Sequence, residues 1–161
     1  MDRLILLRHG KAETDSVSGQ DFDRALTERG ARDVALGCRA MAEAGVYPDL
    51  VLVSPAARAQ QTWEAAAAVF PRAEVKLVPA LYEIGPSAIL DLARDEGRSV
   101  GTVMVVGHNP GLGSLSMLLA HHAPGRTSGL ASGFPTAAAS VTVFDPPAFD
   151  LYTPKALGGG S

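Results

Sequence analysis

The chain is poor in the features that mark several large protein classes. It has a single cysteine, Cys38, among 161 residues, so it closes no internal disulfide and asks for no oxidising compartment; the expected location is the cytoplasm. Positive charge is not in excess: 14 Lys and Arg stand against 17 Asp and Glu, for a formal net charge of −3. General nucleic-acid and anionic-membrane binders need a broad basic surface, so neither partner is expected and any anion site must be local. Long apolar runs are missing as well. The run Leu4 to Leu7 stops at Arg8 and is too short for the core of a signal peptide, and no later run is long enough to span a bilayer. There is no internal repeat, no linker and no His/Cys/Asp/Glu cluster with metal-ligand spacing. His121 and His122 are adjacent, and adjacent residues point apart on a helix, so they read as structural. No metal and no cofactor are expected.

What remains is an ordinary globular composition, 47% apolar and 19% charged. A chain of this length suits one domain, expected over residues 1–155, with a flexible tail over 156–161 that ends in glycines. Strand and helix patterns alternate. Leu4 to Leu7, Leu50 to Val53 and Val103 to Val106 read as strands buried on both faces; Val75 to Val78 is a weaker strand, and Ala139 to Phe144 a last one before a proline-rich stretch. Helices are expected from a Thr27 N-cap to about Ala44, from a Ser54 N-cap with Pro55 at the first position to about Phe70, from Ser87 to about Arg94, and from Leu112 to His121. This alternation predicts a three-layer α/β domain, a mostly parallel central sheet with helices on both faces.

Ligands of such sheets bind beyond the C-terminal ends of the strands. Arg8-His9 follows the first strand, Ser54 to Arg58 the second and His108 the fourth, so three polar clusters are expected to converge. Two arginines and two histidines make a compact cationic pocket in an acidic protein, and its natural ligand is a phosphoryl group, whose charge is spread over three oxygens. Arg58 falls in the first turn of its helix, where free backbone N–H groups favour an anion. Cys38 sits on the apolar stripe of a helix, which argues against a cysteine nucleophile. Histidine remains: a neutral imidazole attacks phosphorus to form a phosphohistidine that water later cleaves. His9 lies beside Gly10, which would allow close approach of backbone and phosphate, and His108 would be a second donor.

Four ordered segments carry a resemblance: Leu7-Arg8-His9-Gly10, Arg24-Ala25-Leu26-Thr27-Glu28-Arg29-Gly30, Ser54-Pro55-Ala56-Ala57-Arg58-Ala59-Gln60-Gln61-Thr62 and Val106-Gly107-His108-Asn109-Pro110-Gly111. Together they resemble the histidine phosphatase superfamily, which also holds the cofactor-dependent phosphoglycerate mutases. The resemblance implies a phosphoglycerate mutase-like fold, with His9 as nucleophile and Arg8, Arg58 and His108 as its phosphate pocket. The short chain, the Gly107 to Gly111 segment and Phe134-Pro135-Thr136 look most like the compact bacterial phosphohistidine phosphatases. Members that cleave alkyl phosphates use a carboxylic acid to protonate the leaving oxygen, and Glu83 lies in about the expected place. Arg24 is a candidate rim contact, Asn109 and Ser54 are candidates for orienting the pocket, and Trp63 reads as a core or groove residue rather than a substrate platform. A phosphorylated protein or a small phosphomonoester is the expected partner, and a non-catalytic phosphate-binding module is the rival from another class. Nothing in the sequence sets the oligomeric state.

Overall fold

Each of the three buried apolar runs becomes a strand, and each alternates its side chains between two cores. The computed structural model describes residues 1–125, 129–130 and 133–159. Its elements, in chain order, are β1 (Arg3–Arg8), α1 (Glu28–Glu43), β2 (Leu50–Val53), α2 (Ala57–Ala67), β3 (Glu74–Leu77), α3 (Pro86–Glu96), β4 (Thr102–Gly107), α4 (Gly111–His121), β5 (Ala139–Phe144) and β6 (Pro147–Tyr152), with short 3-10 turns at Asp21–Asp23 and Pro79–Tyr82. The six strands form one mixed sheet in the order β3-β2-β4-β1-β5-β6. The first four run parallel, whereas β5 and β6 are antiparallel to their neighbours.

Ile5, Leu7, Val51, Val53, Met104 and Val106 pack on the side that holds α1 and α2, and their alternates Leu4, Leu6, Leu52, Val103 and Val105 pack on the side of α3 and α4. This is the period-two alternation of a strand, with both faces covered. Each such side chain, fully removed from water, contributes about 1.5–3 kcal/mol. Trp63 lies against the α1 and α2 core.

Thr27 caps α1 as expected, its hydroxyl accepting from the Gly30 amide at 2.9 Å. Ser54 does not cap α2. That helix starts at Ala57 behind Ala56, with no side-chain cap, and Ser54 is used elsewhere. The strand β6 is an addition to the sequence reading, which left this stretch irregular. Beyond it, the Gly159 amide donates to the Pro154 carbonyl at 2.8 Å and Leu157 packs on the α1 side, while residues 160 and 161 of the expected tail lie outside the described residues.

The strand order sets the site. Arg8 pairs with Gly107, and Val53 with Val106, so β2, β4 and β1 end side by side. No described helix is long and apolar enough to cross a membrane.

Candidate active site

Backbone geometry delivers His9 first. It continues β1, with its amide donating to the Gly107 carbonyl at 3.1 Å and its carbonyl accepting from the Ala137 amide at 3.0 Å. The side chain is buried. Its Nδ1 lies 2.8 Å from the Gly10 carbonyl oxygen, which only accepts, so the ring proton is on Nδ1 and Nε2 is unprotonated. The Arg58 Nε–H points at that nitrogen from 3.4 Å. Burial pushes the His9 imidazolium down to about 4, and the positive fields of Arg58, Arg8 and Arg24 oppose the Gly10 contact that raises it. His9 is therefore neutral at pH 7.

His108 stands beside it, ring centroids 5.2 Å apart and planes tilted by 54°. Ser54 Oγ meets His108 Nε2 at 2.7 Å, which is what the hydroxyl does instead of capping α2. Burial, then the charges of the neighbouring basic groups, hold the His108 pKa down at about 3. The Tyr82 ring abuts His108 edge-on at 5.7 Å.

Two polar atoms here are buried without a hydrogen-bond partner among the described residues: Arg8 Nε and His108 Nδ1. Such atoms are costly unless a ligand satisfies them. Arg8 is steered by its other end, since Nη1 donates to the Phe134 carbonyl at 3.0 Å, and Asn109 Nδ2 donates to the same oxygen at 2.8 Å. Asn109 also accepts from the Gly113 amide at 3.0 Å, tying the start of α4 to this carbonyl. Burial and the charge of Arg58 lower the Arg8 pKa. The outcome is a group of inward N–H donors, Arg8 Nε, Arg58 Nε and a ring nitrogen of His108, around the His9 lone pair. Donors of this kind match the oxygens of a tetrahedral anion.

The matched segment around Arg58 has a second use. Thr62 Oγ1 accepts from the Gly10 amide at 3.0 Å and donates to the Arg58 carbonyl at 2.7 Å, while Gln61 Oε1 accepts from the Leu26 amide at 2.7 Å. One face of α2 thus anchors both ends of the loop that joins β1 to α1. Gly10 is small for a different reason from the expected one: a Cβ there would lie 2.6 Å from the Gly30 carbonyl oxygen, so the constraint is the packing of α1, not the ligand.

Arg24 and Glu83 lie at the mouth. Arg24 Nη1 donates to the Glu13 carbonyl at 2.8 Å and Nε to the Asp21 carboxylate at 3.0 Å. Glu83 is exposed and lines a cavity of about 360 Å³ between the residues 81–85 and the segment from Gly107 to Leu112. Asp21 and Tyr82, which sequence reasoning did not single out, complete the rim. Asp21 stands three residues before the recognisable Arg24 segment, but nothing in the sequence says where that loop lands. Among the described residues no group of three or more His, Cys, Asp or Glu is placed to hold a metal ion.

The histidine phosphatase superfamily (branch 1) sequence model matches residues 4–100. The chain belongs to the histidine phosphatase superfamily. That superfamily is one of enzymes. An uncharacterized chloroplastic protein of Arabidopsis thaliana is 32% identical over 122 residues, 68% of this chain, and the match spans 55% of that relative's length. An uncharacterized protein of Picosynechococcus is 30% identical over 96% of this chain and 98% of its own. Among solved structures, a candidate phosphohistidine phosphatase SixA of Agrobacterium tumefaciens superimposes with a TM-score of 0.78 at 32% identity, covering 88% of this chain and 91% of that one. The protein histidine phosphatase SixA complexed with tungstate gives 0.72 at 28% identity, covering 96% and 99%. The histidine phosphatase chain therefore has the compact SixA-like form of the superfamily.

Proposed function

We propose that this histidine phosphatase hydrolyses phosphohistidine in a protein substrate, through a phosphoryl group held on His9. The observation that carries the reading is the His9 Nε2 lone pair, fixed by the Nδ1 contact to Gly10 and faced by Arg58 Nε, with Arg8 Nε and His108 Nδ1 buried and unpartnered nearby. A phosphoryl oxygen on each donor puts phosphorus in front of Nε2. With the Ser54 hydroxyl donating to His108 Nε2, the His108 proton sits on Nδ1, where it serves an equatorial oxygen. Attack forms the Nε2–P bond as the bond to the leaving group breaks; water then displaces His9 from phosphorus, returning neutral imidazole and orthophosphate. Metal takes no part in this reading, since the cationic charge comes from Arg8 and Arg58.

The leaving group is read from Glu83. A general acid for alkoxide departure is tuned by burial, and Glu83 is exposed. An imidazole leaving group needs less help than an alkoxide, which favours phosphohistidine. One observation favours a small phosphomonoester instead: Glu83 shares the 360 Å³ cavity with His108. Glu83→Gln separates the two. Turnover of a phosphohistidine protein within about threefold of the parent is expected, whereas a loss of about 10²-fold on alkyl phosphates, in an enzyme that prefers them, would move the assignment to the phosphomonoesterase.

The neutral nucleophile also sets a pH limit. With His9 at about 4, the pH profile of kcat/KM is expected to hold level down from pH 7 and to fall on an acid limb near pH 4. A limb near 6.5 would mean that His9 is not the group titrating. Stability follows the same direction. His9 and His108 bind protons less readily in the folded state than in the unfolded chain, so unfolding takes up protons between the ordinary histidine value and the depressed ones. The midpoint of urea unfolding is expected to fall as pH drops through 6.5 toward 4, and to be insensitive to these two groups above 6.5.

A further inference from the structure

One acidic side chain at the pocket is as heavily engaged as any of the cations. Asp21, on the 3-10 turn Asp21–Asp23, accepts from Arg58 twice: its backbone oxygen takes Nη1 at 2.8 Å and its carboxylate takes Nη2 at 2.9 Å. The same carboxylate oxygen accepts from the Tyr82 hydroxyl at 2.7 Å, and the other takes Arg24 Nε at 3.0 Å. Phe22 next to it packs edge-on against the Tyr82 ring at 5.1 Å. One acidic residue on the loop between β1 and α1 thus links α2, the 3-10 turn Pro79–Tyr82 and its own loop across the mouth of the site.

Arg58 shows what this does. Its side chain is buried and has three nitrogens; two terminal ones are taken by Asp21, and the remaining Nε points at His9. A guanidinium is planar, so holding both ends fixes the direction of Nε–H. We propose that Asp21 is a positioning residue of the site, acting through Arg58: it turns the guanidinium so that Nε–H faces the reacting centre, and its negative charge offsets part of the cationic field that would otherwise retain orthophosphate. The inference rests on the phosphatase reading for its kinetic part only. Asp21 acts as a carboxylate throughout, because the contacts with Tyr82, Arg58 and Arg24 hold it well below the usual carboxylate range, so it is not the proton donor to the leaving group.

The two effects of Asp21 separate turnover from anion binding. In Asp21→Asn, kcat on p-nitrophenyl phosphate is expected to fall by about tenfold or more, because the donor is no longer aligned. Competitive inhibition by orthophosphate should stay within about threefold of the parent or become tighter, because a negative charge has left the rim. Asp21→Ala should show the same split with an unchanged far-ultraviolet circular dichroism spectrum. Packing of the loop alone would weaken turnover and phosphate binding together, so that result overturns the proposal, as does a kcat within about threefold of the parent. A readout independent of turnover is the Arg58 Nε–H resonance, identified by its disappearance in Arg58→Lys. It should exchange slowly with water in the parent protein and rapidly in Asp21→Asn; slow exchange in both overturns the proposal. A parent protein inactive on every phosphorylated substrate would refute the phosphatase reading, and this resonance would still decide the role of Asp21.

Discussion

Replacing His9 with alanine is expected to lower kcat/KM by about 10⁴-fold or more, on aryl phosphates and on phosphohistidine alike, because the bond-forming atom is gone. The fold should persist. The bonds that end β1 run through the backbone of residue 9, to Gly107 and from Ala137, and the substitution removes neither; the side chain gives up two hydrogen bonds, Nδ1 to Gly10 and the long one from Arg58 Nε, each a matter of about 1 kcal/mol. Rapid quenching of the parent during turnover should trap an acid-labile phosphoryl group on the protein, and the same quench of His9→Ala should trap none. Retained turnover in the variant would remove His9 from the mechanism. A parent that binds orthophosphate yet never becomes phosphorylated, with an active control enzyme alongside, would instead identify a phosphate-binding module.

The second large effect lies away from the chemistry. Gly30, in the first turn of α1, has no room for a side chain: a Cβ there would sit 2.3 Å from the Lys11 carbonyl oxygen and 2.8 Å from the Lys11 nitrogen. Both are backbone atoms of the segment leaving β1, held by Thr27, whose amide and hydroxyl donate to the Lys11 carbonyl at 2.8 and 2.9 Å. Relief therefore requires α1 and this segment to separate, and the loop that carries Asp21 and Arg24 spans them. Overpacking of this kind costs about 1–3 kcal/mol, and Gly30→Ala is expected to lower Tm by roughly 2–12 °C and to weaken turnover as well. Gly37 on the same helix is the comparison. A Cβ there meets only the Ala137 carbonyl oxygen, at 3.8 Å, and alanine is the better helix former by up to about 1 kcal/mol, so Gly37→Ala should hold Tm or raise it. Equal losses in the two variants would show that helix propensity, not the approach to Lys11, controls stability here.

The elements that the residues announced are those whose local pattern and final environment agree. Leu4 to Leu7 and Val103 to Val106 are apolar on both faces and end up covered on both faces. Thr27 has the residue type of a cap and becomes one. The convergence of residues 8, 9, 58 and 108 followed from a rule about strand ends that holds for open parallel sheets. Where local pattern and tertiary use diverge, the reading fell short. Ser54-Pro55 has the look of a helix start, yet the hydroxyl bonds His108 across 54 positions of sequence. The pair Pro146-Pro147 looked like the end of regular structure, but Pro147 opens an edge strand whose one partner strand among the described residues is β5, where a missing N–H is tolerated. Asp21 is the extreme case. Its partners Arg58 and Tyr82 lie 37 and 61 residues away, and an Asp in a polar loop carries no signature of such contacts.

The strand order has a consequence for how the chain becomes a protein. β1 and β2 do not pair with each other; β4 lies between them. Residues 4–100, the stretch matched by the superfamily model, contain β1, β2 and β3 but not β4, which joins β1 to the other two. A growing polypeptide that has reached residue 100 therefore carries β1 apart from the β2–β3 pair, each with unpaired ladder groups on the edges that β4 will fill. Assembly waits for a segment about 100 residues downstream of β1, so folding is dominated by non-local contacts and is slow relative to helical chains of similar size. Until β4 arrives, those strands are also open to pairing with other chains. His9 and His108 arrive together for the same reason, since the strand that closes the sheet is the one that brings the second histidine.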